Sequence, residues 1–136
     1  LLNREKLALI SLQDLRDSIP PEIIELMKKE SEIFFLLRLH PSQKNGKDLI
    51  KQLNDQGLTN NFNINQATNL PLHYLLPFVS LHLTRFSSVA LEAMGHGVAT
   101  VFLEQNGLDF FSMNLPDKLI IDGIGKDLSN VVRKNI

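Results

Sequence analysis

Cysteine is absent from the 136-residue sequence. The chain therefore has no disulfide framework and no thiolate metal site, which fits a reducing compartment. An excess of one charge is also lacking, because 14 Lys and Arg residues balance 15 Asp and Glu residues to a formal net charge of -1. No overall basic field would recruit nucleic acid or an anionic membrane, so any anion site has to be local.

Long hydrophobic runs are missing as well. No apolar stretch approaches the roughly 18 to 20 residues that a membrane-spanning helix needs. Hydrophobic residues make up 43% of the chain and charged residues 21%, which is usual for a globular domain. The length allows one domain, residues 1–136, with a substantial core but not two. Because the sequence begins without Met, we expect it to be a fragment of a two-domain enzyme.

Short apolar runs alternate with helical patterns along the chain. The runs at 7–12 and 33–39 are continuously apolar, which is typical of parallel strands covered on both faces. Further strands are predicted at 60–65, 79–83, 98–103 and 118–122. Helices are predicted at 22–29, 47–53, 70–76, 87–94, 110–113 and 124–134. This alternation predicts an α/β fold, a doubly wound six-stranded parallel sheet of Rossmann-like type.

Two polar segments follow predicted strands. His40-Pro41 comes after the second strand, and Ser87-Ser88 after the fourth, at the start of a helix. In doubly wound sheets, ligands bind outside the carboxyl ends of the strands. Free N–H groups at a helix start, together with two hydroxyls, suit an anion. Ser87 and Ser88 could instead act only as helix caps, but their place in the topology favours phosphate binding.

Three more side chains are candidates for the same site. His40 could contact a phosphate or donate a proton to a leaving group, or simply end a strand. Arg38 would share a sheet face with His40 and pair with a phosphate, or with Glu32 or Asp48. Glu92, one helical turn beyond the serines, could accept hydrogen bonds from ribose hydroxyls or be a solvated surface charge.

Other motifs of nucleotide and metal chemistry are not present in the sequence. His73, His82 and His96 lack metal-ligand spacing, so no metal site is predicted, and we expect His82 in the core or on a sheet face. There is no P-loop, no dinucleotide fingerprint after the first strand and no Gly-x-Ser-x-Gly elbow. The eight phenylalanines have no basic interleaving, which argues against nucleic-acid binding.

The two polar segments carry a resemblance to a known family. Arg38-Leu39-His40-Pro41 after a strand, and Phe86-Ser87-Ser88-Val89-Ala90-Leu91-Glu92-Ala93 before Gly97 and an apolar strand, resemble the C-terminal domain of GT-B glycosyltransferases. The resemblance is to bacterial sialyltransferases and polysialyltransferases, and to CDP-glycerol polymerases of capsule and teichoic acid synthesis. It covers most of the chain in strand order, but the specific match is confined to these segments.

The resemblance implies roles for individual residues. His40 would contact the donor phosphate and assist departure of the nucleotide. Ser87 and Ser88 would bind the phosphate, Glu92 would bind the ribose, and the loop at 65–68 would lie near the base. The implied nucleotide-binding residues are Arg38, Pro41, Ser87, Ser88 and Glu92.

The resemblance also implies an activity and partners. The parent enzyme would transfer sialic acid or a related sugar from a CMP-, CDP- or UDP-linked donor to a surface glycan, without a metal or other cofactor. A single short pocket favours CMP, which has one phosphate. The family's general base lies in the N-terminal domain, so this chain would be the donor-binding half and inactive alone. The acceptor glycan would bind through the missing domain.

The same resemblance extends to location and assembly. It implies an enzyme of capsule or lipooligosaccharide synthesis that works in the cytoplasm or peripherally at the inner face of a bacterial membrane. Apolar surface left by a missing domain would favour dimerisation of the fragment.

Two alternatives remain open. A nucleotide-sugar epimerase of the UDP-N-acetylglucosamine 2-epimerase kind would share the fold and need further acidic and histidine residues from another domain. A non-catalytic interaction or receiver-like module is an alternative of a different class. A receiver needs an acidic pair after the first strand and an aspartate after the third. Asp14 stands alone and Asn65 is not an aspartate, which disfavours a receiver.

Overall fold

The computed structural model describes residues 6–13, 18–41 and 46–136. The strands within these residues form one sheet in the order β3-β2-β1-β4-β5-β6, and every neighbouring pair is parallel. The strands are β1 (Leu7–Ser11), β2 (Phe34–Arg38), β3 (Phe62–Asn63), β4 (Leu81–Thr84), β5 (Thr100–Phe102) and β6 (Ile120–Asp122). The predicted fold class, a doubly wound parallel sheet, is confirmed.

Helices connect successive strands and cover both faces of the sheet. They are α1 (Pro21–Lys29), α2 (Gly46–Asp55), α3 (Asn65–Asn69), α4 (Leu72–Leu75), α5 (Val89–Gly95), α6 (Gln105–Ser112) and α7 (Leu128–Asn135). Short 3₁₀ turns follow α4 at Leu76–Phe78 and precede β6 at Asp117–Leu119. No helix in the described ranges has the length and apolar character required to cross a bilayer.

Alternate side chains of the central strand enter two separate cores. Ala8 and Ile10 pack into the larger cluster, which holds the buried faces of α1, α2 and α7. Leu7 and Leu9 pack into the cluster that holds α3, α4 and α5. Because both faces of β1 are buried, a continuously apolar strand is what the fold requires, and the sequence supplies it.

The prediction of a strand over 60–65 is wrong beyond Phe62–Asn63. The Asn63 Oδ1 accepts hydrogen bonds from the backbone N–H groups of Gln66 and Ala67, at 2.9 and 3.1 Å. An asparagine side chain that satisfies these donors starts a helix instead of continuing a ladder, so α3 begins at Asn65.

Helix α7 begins later than the predicted 124–134. Gly125 has a φ of 64°, which places a turn before the helix. The Asp127 side chain then accepts from the backbone N–H groups of Ser129 and Asn130 and caps the helix at Leu128. The predicted short helix at 110–113 is in fact the longer helix Gln105–Ser112. Gly107 lies within this helix and weakens the helical pattern in the sequence, so the prediction was too short.

Strand β1 occupies the centre of the sheet, with β2 on one side and β4 on the other. The chain builds outward from β1 to β3 and then returns to add β4, β5 and β6 on the opposite side. The strand order therefore reverses between β1 and β4, which is where such sheets form a crevice at their carboxyl ends.

Candidate functional site

A cleft of about 680 Å³ opens at the carboxyl ends of β1, β2 and β4. It brings together residues predicted to form one site although they lie far apart in the sequence. Arg38, His40, Pro41, Ser87 and Ser88 all line it. The position is the crevice expected where the strand order reverses.

Neighbouring backbone fixes the end of β2, where His40 and Pro41 follow. The Leu39 N–H donates to the Thr68 hydroxyl oxygen at 3.1 Å, which ties this end to α3. The Leu12 N–H donates to the Arg38 carbonyl at 2.9 Å, which ties it to the extension of β1. His40 is therefore presented, exposed, from an anchored backbone.

Arg38 has a structural role that the sequence did not predict. Its Nη1 donates to the carbonyl oxygens of Ala67 and Leu70, at 2.8 and 2.7 Å. These are carbonyls of the last turn of α3, which lack partners within the helix. Arg38 forms no ion pair with Glu32 or Asp48, so that alternative is wrong.

Glu92 lies on the exposed face of α5 and does not line the cleft itself. Partial burial lowers the pKa of the Arg38 guanidinium, and the Glu92 carboxylate opposes this shift. Glu92 therefore acts on Arg38 electrostatically, although the two side chains form no ion pair within the described residues. Its predicted contact with a ribose stays a prediction.

The two serines differ in what they do at the start of α5. The Ser87 Oγ accepts a hydrogen bond from the Val89 N–H at 3.2 Å. Ser88 already has helical backbone angles, φ -64° and ψ -12°, and its side chain makes no capping bond. Ser88 is exposed in the cleft. Ser87 therefore acts as a helix cap, which was the alternative to phosphate binding, while the helix does not use the Ser88 hydroxyl.

The turn before the serines is held from the other side of the sheet. The Arg85 guanidinium donates to the Glu22 carboxylate at 3.1 Å and lies 3.9 Å from that of Glu104. The Gln13 side-chain amide donates to the Phe86 carbonyl. The charge of Arg85 is therefore balanced by carboxylates outside the cleft. The turn is held by contacts with α1 and with the segment that follows β1.

Phe86 forms an apolar wall of the cleft that sequence reasoning did not predict. Its ring centroid lies 5.2 Å from that of Phe110 and 5.3 Å from that of Phe111. Phe111 in turn stacks on the buried Phe102 at 5.5 Å. These contacts anchor the Phe86 ring, which is 38% exposed, against the core. The Phe-Ser-Ser sequence was the available signal.

A buried polar cluster lies directly beneath the cleft. The Ser11 Oγ is 2.7 Å from His82 Nε2, and His82 Nδ1 is 2.9 Å from the Thr100 Oγ1. His82 is fully buried, as predicted, and burial lowers its pKa to about 3. Ser11 lines the cleft and was missed; the available signal was its place at the end of a central strand.

Other candidates do not join the cleft. Within the described ranges, no three His, Asp or Glu side chains are grouped so as to hold a metal ion. His73 and His96 are exposed and do not line the cleft. Asp14, which entered the receiver alternative, lies outside the described residues, and Asn65 begins α3.

The fold of this chain matches parts of larger solved structures. A UDP-GlcNAc 2-epimerase from Neisseria meningitidis, bound to UDP-GlcNAc, matches 97% of this chain and 35% of its own, with TM-score 0.67 and 18% identity. The glycotransferase of kitacinnamycin matches 96% of this chain and 34% of its own, with TM-score 0.62 and 14% identity. The wall teichoic acid polymerase TagF matches 99% and 36%, with TM-score 0.57 and 12% identity.

These matches establish the α/β fold class, and the chain spans about a third of the length of each of these proteins. No protein-family model matches the sequence, and no curated protein matches it.

Proposed function

We propose that the chain is the donor-nucleotide-binding domain of a glycosyltransferase that transfers sialic acid or a related sugar from a CMP-linked donor to a surface glycan. The observation that carries this proposal is the meeting of His40-Pro41 with Ser87-Ser88 in one cleft at the reversal of strand order. Each motif by itself resembles the same family, and their meeting in one cleft supports a shared role in binding the donor.

The phosphate would lie against the start of α5. The Ser88 hydroxyl is exposed there and is not used for capping, so it can donate to a phosphate oxygen. The first three N–H groups of α5 are already used, because Val89 donates to the Ser87 Oγ while Ala90 and Leu91 donate to the carbonyls of Ser87 and Ser88. The Ser88 hydroxyl would therefore be the donor that the phosphate meets at this helix start. Arg38 is the only arginine or lysine among the described residues that line the cleft, which suits a single phosphate better than a diphosphate.

His40 would act on the opposite side of the phosphate. Breaking the bond between sugar and nucleotide places negative charge on the leaving phosphate. A donor fixed near that charge stabilises the transition state more than the ground state. Because His40 follows an anchored strand end, its position costs little reorganisation during the reaction.

The remaining contacts would extend the site away from the phosphate. Pro41 would shape the wall beside His40, and Arg38 would support that wall through its bonds to α3 and lend it positive charge. Glu92 would accept from ribose hydroxyls, one turn beyond Ser88, and the segment 65–68 would lie near the base. Thr68, which lines the cleft, supports this placement.

A second domain would complete the enzyme. The matched structures are about three times as long as this chain, which agrees with a donor half that needs an acceptor half. That other domain would supply the general base and the acceptor site. Phe110 and Met113, which are 55% and 86% exposed, are candidates to be covered by that domain or by a second copy of the chain.

Isothermal titration calorimetry with CMP, CDP, UDP and GDP tests the proposal. We expect CMP to bind at micromolar to millimolar concentration and to bind more tightly than GDP. His40→Ala and Ser88→Ala should each weaken CMP binding by about fivefold or more, since each removes a hydrogen bond to a charged group. Absence of binding for all four nucleotides at millimolar concentration would contradict the proposal.

Matched controls separate loss of contact from loss of fold. His73→Ala removes an exposed histidine outside the cleft, and Ser80→Ala removes an exposed serine before the amino end of β4, on the opposite edge of the sheet. Both should bind CMP like the unaltered chain. If they weaken binding as much as His40→Ala and Ser88→Ala do, the cleft is not the site.

A nucleotide-sugar epimerase is the second candidate function. The fold match to the UDP-GlcNAc 2-epimerase, at TM-score 0.67, favours it as an alternative use of the same cleft. The two candidates differ in the preferred nucleotide. Binding of UDP at least tenfold more tightly than CMP would favour the epimerase, while the reverse order would favour the sialyl-type transferase.

A further inference from the structure

The Ser11–His82–Thr100 cluster has two possible directions for its hydrogen bonds. A neutral histidine carries a proton on only one ring nitrogen, so one nitrogen donates and the other accepts. Either Thr100 donates to Nδ1 and Nε2–H donates to Ser11, or Ser11 donates to Nε2 and Nδ1–H donates to Thr100. The first direction leaves the Ser11 proton over, and the second leaves the Thr100 proton over.

Burial decides between these two directions. Thr100 is 1% exposed, and its hydroxyl has no partner other than His82 among the described residues. A hydroxyl proton left without an acceptor in the dry interior costs about 1–3 kcal/mol. Ser11 is also largely buried, at 6% exposed, but it lines the cleft, where water or a ligand can accept its proton. The favoured direction therefore runs from Thr100 through His82 to Ser11.

The sheet register gives this chain of bonds a fixed geometry. Thr84 lies directly beside Ser11, and His82 lies directly beside Thr100. The Thr84 hydroxyl donates to the Ser11 carbonyl at 3.0 Å, which holds the end of β1 against β4. With its oxygen already accepting from His82, the Ser11 hydroxyl has its proton free to point into the cleft.

We propose that His82 is a positioning residue that orients the Ser11 hydroxyl as a hydrogen-bond donor to the phosphate of the bound nucleotide. This inference rests on the proposed function of the cleft, and it assigns Ser11 a contact beside Ser87 and Ser88. It also gives His82 a role that does not depend on a change in its protonation state. Because burial holds the pKa of His82 near 3, the ring stays neutral and keeps one direction of donation at neutral pH.

Titrations of CMP and cytidine followed by NMR test the contact with phosphate. We expect Ser11→Ala to weaken CMP binding about tenfold and to leave cytidine binding unchanged, because cytidine has no phosphate. Ser11→Thr, which keeps the hydroxyl, should bind CMP within about threefold of the unaltered chain. Ser80→Ala is the control: it removes an exposed hydroxyl before the amino end of β4, at the opposite edge of the sheet, and CMP binding should not change.

The ring nitrogens of His82 provide a second measurement that needs no ligand. Long-range ¹H–¹⁵N correlation spectra distinguish the two neutral tautomers, and we expect the proton on Nε2. A proton on Nδ1, or equal CMP binding by Ser11→Ala and the unaltered chain, would overturn the inference while leaving the proposed function standing. If the unaltered chain binds neither CMP nor any other nucleotide, the two proposals fall together.

Discussion

The Ser87 Oγ lies 3.2 Å from the backbone nitrogen of Val89 and accepts its hydrogen bond. Ser88, the next residue in the chain, makes no such bond. Adjacent serines at one helix start thus divide two tasks, since one satisfies the helix and the other is left exposed. This division yields a prediction for stability that is independent of any ligand.

Ser87→Ala should lower the free energy of unfolding by about 0.5–1 kcal/mol, because it removes a capping bond. Ser88→Ala should change that free energy by less than about 0.5 kcal/mol, as is usual for an exposed side chain without partners. Urea unfolding of the two variants measures the difference. Equal losses in both variants would mean that Ser88 also caps α5.

A close approach between α6 and the turn before Ser87 gives the second prediction. A Cβ on Gly107 would lie 2.0 Å from the Arg85 carbonyl oxygen, which is backbone and cannot rotate away. Gly107→Ala should therefore destabilise the fold by about 1–3 kcal/mol or more, despite the better helix propensity of alanine. Thermal unfolding of the variant provides the measurement.

Gly95 in α5 is the matched control for Gly107. It has open space around its Cβ position and an ordinary helical φ, so Gly95→Ala should be neutral or stabilise by up to about 1 kcal/mol. Similar melting temperatures for the two alanine variants would show that the close approach of α6 is not maintained in solution.

The ion pair between Glu30 and Arg133 ties the end of α1 to α7. Arg133 donates three hydrogen bonds of 2.7 to 3.1 Å to the Glu30 carboxylate, which is 9% exposed. These bonds lower the pKa of Glu30 below its ordinary value of 4.5, against the opposing effect of burial. Arg133→Ala should lower the free energy of unfolding at pH 7, because it leaves the Glu30 carboxylate without this partner.

The sign of the Glu30 shift sets how that loss depends on pH. A lowered pKa stabilises the folded state above pH 4.5, and this contribution disappears as the pH falls through the folded-state pKa. The difference between Arg133→Ala and the unaltered chain should therefore be largest at pH 7 and shrink toward pH 3. Lys134→Ala, at the adjacent exposed position, should show no such difference in urea unfolding.

His82 contrasts with Glu30, because it is a base that burial keeps neutral. Its folded pKa of about 3 lies below its ordinary value of 6.5, so the unfolded chain binds the proton first as the pH falls. Stability is complete above pH 6.5 and declines toward pH 3, by about 2 kcal/mol between pH 7 and pH 5. Urea unfolding at these two pH values measures the decline.

A His82→Gln variant tests the origin of that decline. Glutamine can donate to Ser11 but does not titrate, so the variant should lose most of the pH dependence between pH 7 and pH 5. His73→Gln, at an exposed position, should keep it. An unchanged slope in the His82→Gln variant would assign the decline to other groups.

The sheet was predictable from the sequence because burial on both faces leaves a strong signal. Residues in β1 and β2 are apolar at nearly every position, and the fold buries both of their faces. The helix starting at Asn65 was not predictable in the same way. Its start depends on the Asn63 side chain bonding to the backbone, which competes with strand pairing by a margin that pattern alone does not show.

Only the parts of the site that follow from the strand topology were predictable from the sequence. His40 and Ser88 could be placed on one rim because parallel strands end at the same edge. The partners of Arg38 and the orientation of His82 depend on tertiary contacts with α3 and β5, which have no local sequence pattern. Ser11 and Phe86 did have signals in the sequence, the end of a central strand and the Phe-Ser-Ser segment, but these signals were not used.

A titration of the ¹⁵N-labelled chain with CMP, followed residue by residue, tests most directly whether this cleft binds a nucleotide phosphate. Saturable shifts should appear at the backbone amides of Ser88, Val89, Leu39 and Leu12, which surround the cleft. The amide of Ser80, before the amino end of β4, should not move. Shifts centred on that opposite edge, or none up to millimolar CMP, would contradict the assignment of the cleft as the nucleotide site.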